Sequence, residues 1–164
     1  MAILEILKYP DPRLRTVAEP VTQVDDEFRR IVEDMYETMY DAQGVGLAAT
    51  QVNIHKRFFV MDVSEKRNEP VCIINPEIIK QEGRQDDVHG CLSVGSGMGD
   101  KIDRAAYVRL RGMHLDGKIV EMDAEGLLAI CFQHEIDHLN GILFIDHLSK
   151  LKRDRLLNKI KKSR

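Results

Sequence analysis

Apolar residues recur at helical spacing in two stretches of this chain. Phe28, Ile31, Val32, Met35 and Met39 share one face over 25–43, and Gly44 ends the run, which predicts a helix there. Leu127, Ile130, Cys131, His134 and His138 form a second stripe over 124–140, closed by Gly141. Between the helices the pattern turns to strand type. Arg57 to Val63 (RFFVMDV) and Val71 to Ile79 (VCIINPEII) read as strands, and 106–124 as a β-hairpin turning at Asp116-Gly117. Three prolines within 9–21 forbid a long helix and predict an extended segment lying over the body. Residues 80–90 are polar and read as loop. Gly90 to Val94 is short and apolar, and Gly95, Gly97 and Gly99 predict a loose loop after it.

The tail 149–164 carries eight Lys/Arg against one Asp, with an incomplete apolar stripe of Leu151, Leu156, Leu157 and Ile160. It reads as a basic C-terminal helix, docked at its start or solvated throughout. A chain of 164 residues with 43% hydrophobic and 31% charged content predicts one folded domain over 1–164. The net charge of −3 argues against a general or sequence-specific nucleic-acid binder. No run is long and apolar enough to span a bilayer, and the N-terminus lacks a signal-peptide pattern. Three cysteines without framework spacing suit a reducing compartment. The expectation is a cytoplasmic protein.

The chemistry begins at His134-Glu135-Ile136-Asp137-His138. Two histidines four apart lie one turn from each other on one helix face and can bind one divalent metal, with Glu135 close enough to handle protons. Both sit on an apolar stripe, and a buried histidine pair needs a partner that a metal supplies. A catalytic site of this kind takes three protein ligands and keeps one position open. Downstream supply fails: position 144 is Phe144 where one metallopeptidase pattern puts histidine, and no glutamate follows Glu135. Upstream stand Cys72, His89, Cys91, His114 and Cys131. Cys131 is one turn before His134, yet three ligands from one straight helix converge poorly. Cys91 comes from a separate element and leads Cys131, with both still candidates. Gly44-Val45-Gly46-Leu47-Ala48-Ala49-Thr50-Gln51 matches neither a P-loop nor a dinucleotide fingerprint, and by composition it is a helix stop entering a small-residue strand.

Three segments in order, GVGLAATQ at 44–51, GCLS at 90–93 and QHEIDHLNG at 133–141, resemble the three motifs of the peptide deformylases. The similarity extends from YPDPRLR to the C-terminal helix. It implies an α+β fold with mostly antiparallel sheets around a central H-E-x-x-H helix. It implies Cys91, His134 and His138 as metal ligands, Glu135 as the acid–base residue, and the Gln51 amide and Leu92 N–H as oxyanion donors. The family's usual metal is Fe(II), with Zn, Ni or Co able to substitute. The implied reaction is hydrolysis of the N-formyl group from the N-terminal methionine of new bacterial polypeptides. An extended peptide would then pair with Gly44, Val45 and Gly46. Val45, Leu127, Ile130 and Cys131 would wall the methionine pocket, and the basic tail would contact the ribosome. Rival readings are a deformylase-like metal-binding protein of low activity and a small metallopeptidase.

The second motif departs from the family pattern E-G-C-L-S-x-P, reading His89-Gly90-Cys91-Leu92-Ser93-Val94-Gly95. Without the glutamate, an arginine such as Arg104 loses a carboxylate partner, and weaker support around a ligand lowers turnover or peptide affinity. His89, two residues from Cys91, is set aside as a fourth ligand. Restoring Glu at 89 and Pro at 95 is expected to raise kcat/KM on a formyl-Met peptide, and unchanged kinetics would remove the idea.

Overall fold

A computed structural model describes residues 2–162, with the side chains of 87–90 and 95–101 outside the description. Helix α1, Asp26–Asp41, begins where the Asp25 side chain accepts from the Phe28 N–H. Seven strands follow: β1 Gly46–Ala48, β2 Phe58–Met61, β3 Val71–Glu82, β4 Gln85–Cys91, β5 Gly95–Arg104, β6 Tyr107–Met113 and β7 Ile119–Glu125. Helix α2, Gly126–Leu139, and helix α3, Lys150–Lys162, complete the chain. Five strands form one antiparallel sheet in the order β1-β2-β3-β6-β7, and β4 and β5 form a separate hairpin. This is the expected α+β arrangement.

The five-stranded sheet is buried on both faces where β2 crosses it. Phe59 and Met61 turn toward Phe132, Ile136 and Leu139 of α2, while Phe58 and Val60 pack against Val32, Met35 and Met39 of α1. Alternation by two therefore sends one strand's side chains into two cores. A third cluster joins Cys91, Val94 and Ile102 of the hairpin to Leu143, Phe144, Leu156 and Ile160.

Four expectations change. The polar stretch 80–90 is not a loop: β3 runs through Glu82 and β4 starts at Gln85, because antiparallel pairing with β6 and β5 satisfies the backbone, while the side chains of 80–86 are mostly solvated. The backbone of 95–99 likewise lies in β5, with Gly95 opposite Cys91, so the loop there is confined to 92–94. Helix α3 does not dock at its start. Leu151 is exposed, while Leu156 and Ile160, one turn apart, are buried in the third cluster. The Asp116-Gly117 hairpin stands as expected, with Gly117 at a φ of 85°. The start of α2 moves from 124 to Gly126, because β7 continues through Glu125.

The N-terminal segment laces these parts together. Leu4 N–H donates to Thr38 Oγ1 of α1 at 2.8 Å, Leu7 N–H to the Gln51 carbonyl at 2.7 Å, and Tyr9 N–H to the Ser93 carbonyl at 2.7 Å. Lys8 Nζ donates to the Leu92 carbonyl at 2.6 Å. One extended strip thus fixes α1, the Gln51 turn and the β4–β5 turn relative to one another. At the end of α2, Gly141 has a φ of 75°, and a Cβ there would lie 2.5 Å from the Arg15 carbonyl oxygen. Only glycine fits that crossing.

Candidate active site

Helix α2 presents His134 and His138 on the face toward the β4–β5 hairpin, and Cys91 closes β4 opposite them. Cys91 Sγ lies 3.2 Å from His138 Nε2, which lies 3.1 Å from His134 Nε2. The three donor atoms fall within 4.8 Å of one another and can hold one metal ion. Cys131, the local competitor, packs in the sheet–α2 core with Phe132 and Val45. The choice between the two thiols is geometric: a tripod needs a leg from outside the helix.

Burial fits these groups to a metal. It lowers His138 to about 4, so the ring is neutral and its lone pair available. It pushes the Cys91 thiol up to about 12, a direction that a neighbouring divalent charge reverses. A thiolate with two imidazoles is a donor set for borderline divalent ions such as zinc or iron(II).

Glu135 is 3% exposed, with its Oε1 3.8 Å from His134 Nε2 and its Oε2 without a hydrogen-bond partner among the described residues. Burial raises its pKa to about 8, partly offset by the Arg104 charge. A divalent charge beside it would lower that value toward the range in which a group both takes and returns a proton. A Cβ on Gly46 would come 3.2 Å from Glu135 Cδ and Cγ, so the β1 backbone lies directly against this carboxyl group.

Gln51 sits in a short 3-10 turn, Ala49–Val52, after β1. Its Oε1 accepts from Ala48 N–H at 2.9 Å, which fixes which way the amide faces. Its Nε2 then points at Cys91 Sγ, 3.6 Å away, and donates to Ser93 Oγ at 3.1 Å. Leu92 follows Cys91 in the 92–94 turn, and a Cβ on Gly44 would lie 2.7 Å from its Cδ1. Gly44, Gly46, Gln51, Leu92 and Glu135 are thereby brought together around the Cys91–His134–His138 cluster. Of the expected pocket wall, Ile130 and Cys131 are buried and Val45 is half-buried, whereas Leu127 is 56% exposed and stands outside the core. The His89 side chain lies outside the described residues.

Several supporting residues carry no motif. Gln133 clamps α2 to the β5–β6 junction, accepting from Ala105 N–H at 3.0 Å and donating to the Ala105 carbonyl at 2.9 Å. Arg104, 4% exposed, donates through Nη1 to Asp137 Oδ2 at 2.7 Å, and His147 Nε2 meets the same oxygen at 2.9 Å. Arg104 Nε and Nη2 have no partner among the described residues. A polar glutamine and aspartate within a largely buried helix were the available sequence signals; their partners, far along the chain, were not readable.

The family model for polypeptide deformylase matches residues 3–154. A peptide deformylase of Stutzerimonas stutzeri is 58% identical over 163 residues, covering 99% of this chain and 96% of the relative. One from Pseudomonas aeruginosa is 56% identical over 163 residues, with the same coverage. The crystal structure of a Legionella pneumophila peptide deformylase superposes with a TM-score of 0.94 at 46% identity, covering 98% of this chain and 95% of that one. The Ehrlichia chaffeensis peptide deformylase in complex with actinonin gives 0.92 at 44% identity, covering 99% and 98%. With a family match across most of its length and relatives above half identity, the chain belongs to the polypeptide deformylase family.

Proposed function

We propose that this chain removes the N-formyl group from the N-terminal methionine of newly synthesised polypeptides, acting in the bacterial cytoplasm as one catalytic domain over 1–164. The observation that carries this reading is the convergence of Cys91, His134 and His138, with the Glu135 carboxyl group and the Gln51 amide beside them. The three ligands would hold one divalent ion, Fe(II) by the family resemblance, with Zn, Ni or Co as substitutes. A divalent ion there supplies Lewis acidity and lowers the pKa of water toward ~7.

The protein's own groups do the rest. Glu135 Oε2, buried and without a hydrogen-bond partner among the described residues, takes the proton from the attacking water and returns it to the departing amine. Gln51 Nε2 and the Leu92 N–H donate to the oxygen of the formyl carbon as it gains charge. The Gln51 amide needs no reorientation, because Ala48 N–H already holds its oxygen. The substrate peptide extends along β1, the outermost strand of its sheet, and pairs with Gly44, Val45 and Gly46. Val45, Ile130 and Cys131 line the pocket for the methionine side chain, with Leu127 at its exposed lip.

Zinc- or iron-loaded protein is expected to hold one metal per chain by elemental analysis. His138→Ala or Cys91→Ser should lower that ratio, while Glu135→Ala should keep it. On formyl-Met-Ala-Ser, Glu135→Ala should lose at least about a hundredfold in kcat. Equal activity in that variant would sink the assignment, and cleavage of an internal bond in an unformylated peptide would favour a metallopeptidase.

The exposed face of α3 carries Lys152, Arg155, Lys159, Lys161 and Lys162. These would meet ribosomal phosphates through salt-sensitive contacts. Replacing Lys152, Arg155, Lys159 and Lys161 by glutamate leaves Leu156 and Ile160 in their core. That variant should lose co-sedimentation with ribosomes at low salt, and undiminished binding would refute the contact.

A further inference from the structure

The loop between β2 and β3 carries a clamp that none of the three sequence motifs includes. Arg67, at a φ of 57°, turns its guanidinium back toward β1. Nη1 donates to the Asp62 carbonyl and Nη2 to the Gly44 carbonyl, and the guanidinium carbon lies 5.3 Å from the centre of the Tyr40 ring. Tyr40 in turn donates its hydroxyl to Asp62 Oδ2 at 2.6 Å. Asp62 N–H donates to the Val45 carbonyl at 2.8 Å, and Gly44 N–H to the Met39 carbonyl at 2.9 Å. The circuit closes from α1 through Tyr40, Asp62, Arg67 and Gly44 back to α1.

Asp62 is 1% exposed and anchors the circuit as a carboxylate. Burial opposes its charge, but hydrogen bonds from Ser64, Tyr40 and Glu69 outweigh it and hold the pKa at about 2. The segment so pinned has little room on its far side. A Cβ on Gly44 would meet Leu92 Cδ1 at 2.7 Å, and one on Gly46 would meet Glu135 at 3.2 Å. A shift of a few tenths of an ångström in this segment therefore changes the distance between the outer edge of β1 and both Leu92 and Glu135.

We infer that Arg67 is a positioning residue for the polypeptide substrate, holding the Gly44 carbonyl so that the free edge of β1 sits at the height at which an incoming chain can pair with it. This rests on the reading of β1 as the strand to which the substrate adds. The planar fork of arginine bridges two carbonyls from separate segments while stacking on an aromatic face, which a lysine point charge does not reproduce. The effect falls on main-chain affinity beyond the formyl-methionine and leaves the reacting groups in place.

The test compares formyl-Met-Ala-Ser with formyl-Met amide, which has no residue to pair along β1, on metal-loaded protein. For Arg67→Ala, KM for the tripeptide is expected to rise about tenfold, the scale of a lost charge-assisted hydrogen bond, with kcat within about twofold. KM for the amide should stay within about twofold. Arg67→Lys should fall between, and carries the test if the alanine variant does not fold. Tyr40→Phe, acting through Asp62, should show a smaller shift of the same kind. Equal losses on both substrates, or a fall in kcat alone, would overturn the inference. A wild-type enzyme with the same KM for both substrates would instead remove the edge-strand reading beneath it.

Discussion

The arrangement depends on how helix α2 is held between the five-stranded sheet and the β4–β5 hairpin. Two histidines on one helix are worth little as ligands until a third donor reaches them from elsewhere. Their distance from Cys91 is set by whatever fixes the helix against the hairpin. Gln133 on Ala105 and Asp137 on Arg104 do this from the end of β5, and both attachments are buried or nearly so. A buried guanidinium–carboxylate pair is poor evidence of net stability, since desolvation offsets most of its attraction. Its directional, charge-assisted geometry nevertheless fixes where α2 lies along the hairpin.

Packing supports the same placement from the sheet side. Phe132, Ile136 and Leu139 insert against Phe59 and Ile73, so rotation of α2 that moved the histidines would also empty a close-packed core. The N-terminal strip reinforces it by joining the Gln51 turn and the Ser93 carbonyl across residues 7–9. Long-range hydrogen bonds from an extended segment align two loops that neither local sequence could align. The result is a preorganised site in which the proposed oxyanion donors, ligands and acid–base group come from three separate parts of the chain.

Burial also sets the electrostatics. The environment that favours a neutral His138 raises Glu135 to about 8 and opposes ionisation of Cys91. Each shift comes chiefly from desolvation, so one physical cause acts on the proposed ligand His138, the proposed proton carrier Glu135 and the Cys91 thiol, whose ionisation would depend on a bound cation. Arg104 links structure to chemistry here. It anchors α2 through Asp137, and its charge lowers Glu135 against the larger effect of burial.

The sequence by itself determined the features governed by local periodicity and by fixed spacing. Residues 134 and 138 share a helix face because 3.6 residues complete a turn, and Gly117 and Gly141 mark chain reversals through backbone freedom. Three ordered motifs also carried the family, and the resemblance named Cys91 without supplying the physical reason for it. Tertiary structure alone decided what depended on distant partners. The polar stretch 80–90 became strand because β5 and β6 were there to pair with it, and α3 docked through Leu156 and Ile160 because the hairpin offered them a core. Cys91 rather than Cys131 faces the histidines because one thiol arrives from the hairpin and the other is absorbed by packing. Local sequence encodes which way a side chain points along its own element. It does not encode which element will stand opposite, and the site is made of such oppositions.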